Sequence, residues 1–232
     1  MKTLPQGYRA LVIGASGAIG SAMVQQLKSD PRCGQVIGLG RATTPSIEYQ
    51  DESSLIAAAD HVRQQGELHL VVVATGMLHS LGITPEKRLS QLNGAQMMAS
   101  FSINTIGPAL MLAHFAPLLA RDERSLFAVL SAKVGSIGDN RLGGWYSYRA
   151  AKAALNMVIR TAAIEMARTH PKTVLAALHP GTVDSPLSAP FNPAHGKRPA
   201  IRAAADLLAT IDELPPEETG NFWAYDGQRL PW

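Results

Sequence analysis

Tyr148 and Lys152 stand four residues apart in Tyr-Arg-Ala-Ala-Lys, inside an alanine-rich run that reads as a long helix. That spacing places both side chains on one helical face, about one turn apart. A free phenol, with a pKa of roughly 10, is a poor base and a sluggish acid at neutral pH. An ammonium held within a few ångströms favours the phenolate and draws that pKa toward the working range. The pair is a candidate proton-transfer device, although an amphipathic surface helix can carry the same two residues. Its weight depends on the elements around it.

Near the start of the chain, the apolar run Ala10-Leu11-Val12-Ile13 leads directly into Gly14-Ala15-Ser16-Gly17-Ala18-Ile19-Gly20. A second apolar period follows through Met23, Val24 and Leu27. Strand, glycine turn and helix is the order a phosphate cradle needs. The glycines permit a tight turn, and the helix N-terminus presents free N–H groups to a pyrophosphate.

Hydrophobic periodicity predicts strands over 9–13, 35–39, 68–74, 125–131 and 173–178. It predicts helices over 18–29, 52–65, 95–120, 146–169 and 200–211. Strands alternating with helices of this length imply an α/β fold, a Rossmann-type, doubly wound parallel sheet with helices on both faces. The 232 residues, 46% of them hydrophobic, suffice for a single domain over 1–232. A proline-rich segment within 185–200 lies between a strand and the last helix, where a substrate-covering loop would sit.

Net charge is only +3 and no basic block is present, so a nucleic-acid role has no support. Cys33 is the sole cysteine, which points to a reducing, cytoplasmic setting. The first apolar stretch is glycine-rich and reads as a strand, so no signal peptide is expected. Residues 101–120 lack formal charge but contain Asn104, Pro108, His114 and Pro117, which suit a buried helix better than a membrane span. No metal site is expected.

Beyond the glycine turn, four more segments fall in order along the chain: Asn104-Thr105-Ile106-Gly107-Pro108, Ser147 through Asn156, His179-Pro180-Gly181-Thr182-Val183-Asp184-Ser185, and Asp226 through Trp232. Together they resemble the short-chain dehydrogenase/reductase family over nearly the whole chain, and within it the C-signal-factor and Sniffer-type carbonyl reductases. In the glycine turn, Ala18 stands where the family's middle glycine is usual and Gly17 comes one place early.

The resemblance implies roles for matching residues. Tyr148 would protonate a carbonyl oxygen as hydride arrives, or act as base in reverse. Lys152 would lower its pKa and hydrogen-bond the nicotinamide ribose. Asn104 would hold a water linking Lys152 to solvent. Gly14, Ser16, Gly17, Ile19 and Gly20 would form the cradle, and Pro180, Gly181, Val183 and Ser185 would meet the nicotinamide. Glu48 and Tyr49 resemble an Asp-Val pair that meets the adenine. Ala74-Thr75-Gly76 replaces the family's Asn-Ala-Gly.

The family's catalytic serine is missing. Counting back from Gly135 in Ser131-Ala132-Lys133-Val134-Gly135-Ser136 lands on Ala132, which has no hydroxyl. Strand alternation should point Ser131 to the opposite face. Ser136 is the favoured substitute, with Ser131 second. Gly143-Gly144-Trp145 would shape the adjoining wall.

At the end of the second strand, Gly38-Leu39-Gly40-Arg41 carries no carboxylate to bind a ribose hydroxyl pair. The guanidinium of Arg41 suits a 2′-phosphate, so NADP(H) is the expected cofactor, with NAD(H) as the alternative. The expected activity is hydride transfer between nicotinamide and a small-molecule carbonyl or secondary alcohol. A non-catalytic cofactor-binding sensor or interaction protein is the second reading, favoured by Ala132. The helices over 147–169 and 95–120 are apolar around most of their circumference, which predicts a homodimer or homotetramer packed through them.

Overall fold

Leu70-Val71-Val72-Val73 is an unbroken apolar run, and every one of its side chains is buried. Such runs form strands that need cover on both faces. The computed structural model describes residues 1–80, 84–190 and 196–232. Its strands are β1 (Tyr8–Ile13), β2 (Cys33–Leu39), β3 (Leu70–Val73), β4 (Ser125–Leu130), β5 (Thr173–His179), β6 (Asn221–Ala224) and β7 (Arg229–Leu230). They form one sheet in the order β2-β1-β3-β4-β5-β6-β7. All pairings are parallel except β6 with β7.

The helices are α1 (Ala18–Lys28), α2 (Glu52–Arg63), α3 (Gly94–Phe101), α4 (Gly107–Phe115), α5 (Tyr146–Thr169) and α6 (Ala200–Glu213). One core layer joins α2, α4 and α5 to the sheet through Leu55, Met111, Phe115, Leu155 and Ile159. On the opposite face, Met23 and Leu27 of α1 pack with Leu207 and Ile211 of α6. The doubly wound arrangement expected from the sequence is therefore the one observed. The strand order reverses at β1, between β2 and β3, and in such sheets the crevice beyond the strand ends is the place for a ligand.

Three expectations need correction. The helix predicted over 95–120 is broken: α3 passes through a π-helical turn at Ser102–Ile106 into α4, and a 3-10 turn follows at Ala116–Leu118. Pro108 explains the first break, because its ring would clash with the Asn104 carbonyl in regular helix. The strand predicted over 68–74 is shorter, and Leu68 makes only an isolated bridge to Leu119. The strands β6 and β7 were not predicted. They span only Asn221–Ala224 and Arg229–Leu230, too short for any alternation to show. Trp232 nonetheless closes this corner by stacking on Phe222, with centroids 5.7 Å apart.

Candidate active site

The turn after β1 is built from close backbone approach. Gly14 has φ +87, and a Cβ there would lie 2.7 Å from the Ala74 carbonyl oxygen. At Gly20 a Cβ would lie 2.1 Å from the Gly14 carbonyl oxygen, so only glycine lets α1 start against the turn. The α1 helix begins after Gly17 with no side-chain cap, which leaves its first N–H groups facing the crevice.

Above this turn lies a cavity of about 1020 Å³. Its wall includes Ser16, Gly17, Ile19 and Arg41 on one side and Ala74, Thr75 and Gly76 at the end of β3. Ser131, Tyr148, Lys152, Pro180, Gly181, Val183 and Ser185 complete it. The cradle, the cationic side chain and the Tyr–Lys pair thus share one space. Of the remaining expected site residues, Gly14 and Gly20 lie beneath the turn. Glu48, Tyr49, Asn104 and Ser136 do not border the cavity. Glu48 is exposed, and Tyr49 packs against Gly107 beside α4. Of the expected covering segment 185–200, residues 191–195 lie outside the described residues.

Lys152 is 2% exposed, and its ammonium donates to the Leu130 carbonyl at 2.9 Å. Burial lowers its pKa to about 7. The Tyr148 ring lies 5.9 Å from the Lys152 Nζ, and burial raises the phenol pKa. The expectation that Lys152 draws the phenol down is thus not met, because desolvation outweighs a cation that is directed at a carbonyl. The phenol stays protonated at neutral pH, which suits it to give a proton rather than take one.

Asn104, at 0% exposure, sits in the π-helical turn. Its Oδ1 accepts from the Met77 N–H at 3.0 Å, and its Nδ2 donates to the Met77 carbonyl at 2.8 Å. A Cβ on Gly76 would lie 3.4 Å from Asn104 Oδ1 and 3.8 Å from Lys152 Nζ. Gly76 is the narrow point where the amide and the ammonium converge.

Neither candidate hydroxyl projects as a free donor into the cavity. Ser131 gives its only hydroxyl hydrogen to Asn156 Oδ1 at 2.6 Å. Ser136 is 1% exposed and accepts the Asp139 N–H at 3.1 Å.

The approach to Tyr148 is formed by Gly143-Gly144-Trp145, which the sequence did single out, and by Glu86 and Arg149, which it did not. Gly143, Gly144 and Trp145 all have positive φ, and Trp145, at φ 53, is strained for a bulky residue. Trp145 borders the cavity and meets the Tyr148 ring edge-on, with centroids 6.4 Å apart. Glu86, 2% exposed, holds this turn. Its carbonyl accepts the Trp145 N–H, and its carboxylate accepts the Ser147 hydroxyl and N–H. Arg149 donates to the Gly144 carbonyl at 2.9 Å and the Val134 carbonyl at 3.1 Å. Glu86 had no sequence signal, since it lies in a loop far from Ser147 in the chain.

The model of the short chain dehydrogenase family matches residues 8–196. This chain belongs to that family. The short-chain dehydrogenase is 30% identical to 1-hydroxy-2-glutathionyl-2-methyl-3-butene dehydrogenase of Rhodococcus sp. (strain AD45), over 96% of this chain and 98% of that one. It is 34% identical to C-signal of Myxococcus xanthus over 62% of this chain and 83% of that protein. Its fold is that of the carbonyl reductase Sniffer of D. melanogaster, with TM-score 0.85 at 18% identity over 97% and 99% of the two chains. An NADPH-bound carbonyl reductase from chicken fatty liver superposes with TM-score 0.87 at 22% identity, over 98% and 95%. The short-chain dehydrogenase is accordingly an oxidoreductase of carbonyl and alcohol groups that uses a nicotinamide cofactor. None of its described helices is long and apolar enough to cross a membrane.

Proposed function

We propose that this chain is an NADP(H)-dependent reductase of small-molecule carbonyl compounds with Tyr148 as its proton donor. The observation that carries this reading is the shared cavity, in which a protonated phenol, a buried amine and a glycine cradle face one another. The cradle fits a dinucleotide, because the positions at Gly14 and Gly20 leave room for no side chain and α1 begins uncapped. Ser16, Gly17 and Ile19 would hold the pyrophosphate, and Pro180, Gly181, Val183 and Ser185 the nicotinamide end. Arg41 would take the 2′-phosphate; the chicken carbonyl reductase, which shares the fold, holds NADPH. The bound cofactor supplies the hydride.

The chain's own residues then handle the proton. Tyr148 donates its phenolic hydrogen to the carbonyl oxygen as negative charge gathers there. Lys152, titrating near neutrality, returns a proton to the phenolate. Asn104, locked between both polar groups of Met77, holds the relay's exit to solvent. The Rhodococcus relative is named for a hydroxyl-bearing glutathione adduct, so polar adducts belong in the substrate panel beside ketones, aldehydes and quinones.

Assembly is proposed to be a homodimer or homotetramer. Met98 and Ile106 on one helical layer and Met157 and Ile164 on α5 are all more than half exposed, and a second copy would cover them. The single cysteine, Cys33, supports a reducing, cytoplasmic setting.

Steady-state NADPH oxidation against the carbonyl panel tests the reading, and measurable turnover is expected. The absent hydroxyl at Ala132 favours a second reading, a cofactor-binding sensor. Tight NADPH binding without hydride transfer to any carbonyl would select it.

A further inference from the structure

Reduction of a carbonyl gathers charge on its oxygen, and one phenol is rarely the only donor aimed at it. Ala132 offers a methyl group where the family has its serine. Ser131 has spent its hydroxyl hydrogen on Asn156, and Ser136 lies buried outside the cavity. Lys133 borders the cavity but is half-exposed and ion-paired to Asp139 at 3.5 Å.

His179, in the cavity wall, has hydrogen-bonding capacity to spare. His179 is the last residue of β5, and its backbone is fixed on both sides. Its carbonyl accepts the Tyr225 N–H at 2.9 Å, and the neighbouring Leu178 carbonyl accepts the Ser131 N–H at 2.8 Å. The pairing of Leu130 with Leu178 therefore brings His179 beside Ser131, one residue from Ala132. Alternation along β5 sets His179 on the face of Ala177 and Leu175, which is the face that packs on α5 and so carries Tyr148 and Lys152. His179 borders the same cavity as Ala132 and Tyr148. The Nδ1 atom is buried and has no hydrogen-bond partner among the described residues. Buried polar atoms are rarely left so without a reason.

We propose that the His179 imidazole supplies the hydrogen bond to the substrate carbonyl that Ala132 cannot make. The assignment rests on the reductase reading given above. Burial, reinforced by the nearby cations Lys133 and Arg198 against the opposing charge of Asp226, lowers the His179 pKa to about 4. The ring is neutral at working pH and carries one N–H and one lone pair. It donates without itself losing a proton, as an oxyanion-hole donor must, while Tyr148 delivers the proton. Thr75 also has a buried hydroxyl without a partner. Its methyl, however, stands 3.2 Å from where a Gly14 Cβ would be, against the phosphate turn.

The test is steady-state NADPH-dependent reduction of the best carbonyl in the panel, with NADPH affinity measured separately by fluorescence titration. His179→Ala should lower kcat by about 10²–10³-fold, the usual loss of one such donor, with NADPH affinity within about twofold of wild type. Ala132→Ser placed in the His179→Ala background should restore at least about tenfold, because it returns a hydroxyl to the same wall. His179→Gln, which keeps an N–H, should retain more activity than His179→Ala and guards against a folding failure. Wild-type kcat in His179→Ala would overturn the assignment, and so would a loss that Ala132→Ser does nothing to repair. A wild-type protein that binds NADPH but reduces no carbonyl would overturn the reductase reading itself, and the assignment with it.

Discussion

The Lys152 ammonium nitrogen donates to the Leu130 carbonyl at 2.9 Å while standing 5.9 Å from the centre of the Tyr148 ring. It is held by the strand that ends beneath it. Burial lowers its pKa from 10.5 to about 7. Between those values the unfolded chain binds a proton that the native protein does not, so native stability rises with pH across this window. Above about pH 10.5 both states are neutral and the penalty vanishes; below about pH 7 it is present in full. Lys152→Met, which buries no amine, should flatten the pH dependence between pH 7 and pH 9.5 and should gain most over wild type near pH 7. Urea unfolding across that range is the measurement, and parallel curves for the two proteins would refute the assigned burial cost.

Arg41 is exposed at the cavity rim. Replacing it with alanine should weaken NADPH binding by on the order of 1–3 kcal/mol, which is roughly 5- to 150-fold in Kd, and should leave NADH nearly unaffected. Titration of both nucleotides into wild type and Arg41→Ala decides the matter. Equal wild-type affinities for the two nucleotides would remove Arg41 as the phosphate ligand.

Glu86 sits at the N-terminus of α5 with its carboxylate on the Ser147 N–H and hydroxyl. A buried anion there is favoured by the helix dipole and by two hydrogen bonds. Glu86→Ala should cost about 1–3 kcal/mol, a fall in Tm of very roughly 2–12 °C for a domain of this size. Because Trp145 and Tyr148 hang on the same turn, kcat should fall more than KM rises. Glu86→Gln should recover part of both losses. Thermal melts and kinetics on the same samples check this, and a Glu86→Ala protein with unchanged Tm would contradict the anchoring role.

Much of the architecture was legible in the sequence because it is local. The glycine turn, the apolar runs of β1, β4 and β5, and the four-residue spacing of Tyr148 and Lys152 each declare themselves within one segment. What escaped is non-local. Glu86 meets Ser147 across 61 residues of chain, and His179 comes beside Ser131 only through the pairing of β4 with β5. The break at Asn104 could have been inferred from Pro108, whose steric demand reaches back four residues. The placement of Ser136 turned on a 3-10 turn at Lys133–Gly135 that carries it out of the cavity wall, a detail that strand alternation does not encode. The pKa of Tyr148 was misjudged because proximity of a cation was weighed without the burial that accompanies it.

In the proposed reaction, the Tyr148 phenol gives its proton to a carbonyl as hydride arrives from NADPH. Tyr148→Phe removes that hydroxyl and little packing, so it isolates this proton transfer. The measurement is kcat for NADPH oxidation with the best carbonyl substrate, taken with NADPH affinity on the same preparations. In Tyr148→Phe, kcat should fall about 10²–10⁴-fold with NADPH binding essentially unchanged. Turnover by Tyr148→Phe within an order of magnitude of wild type would contradict Tyr148 as the proton donor.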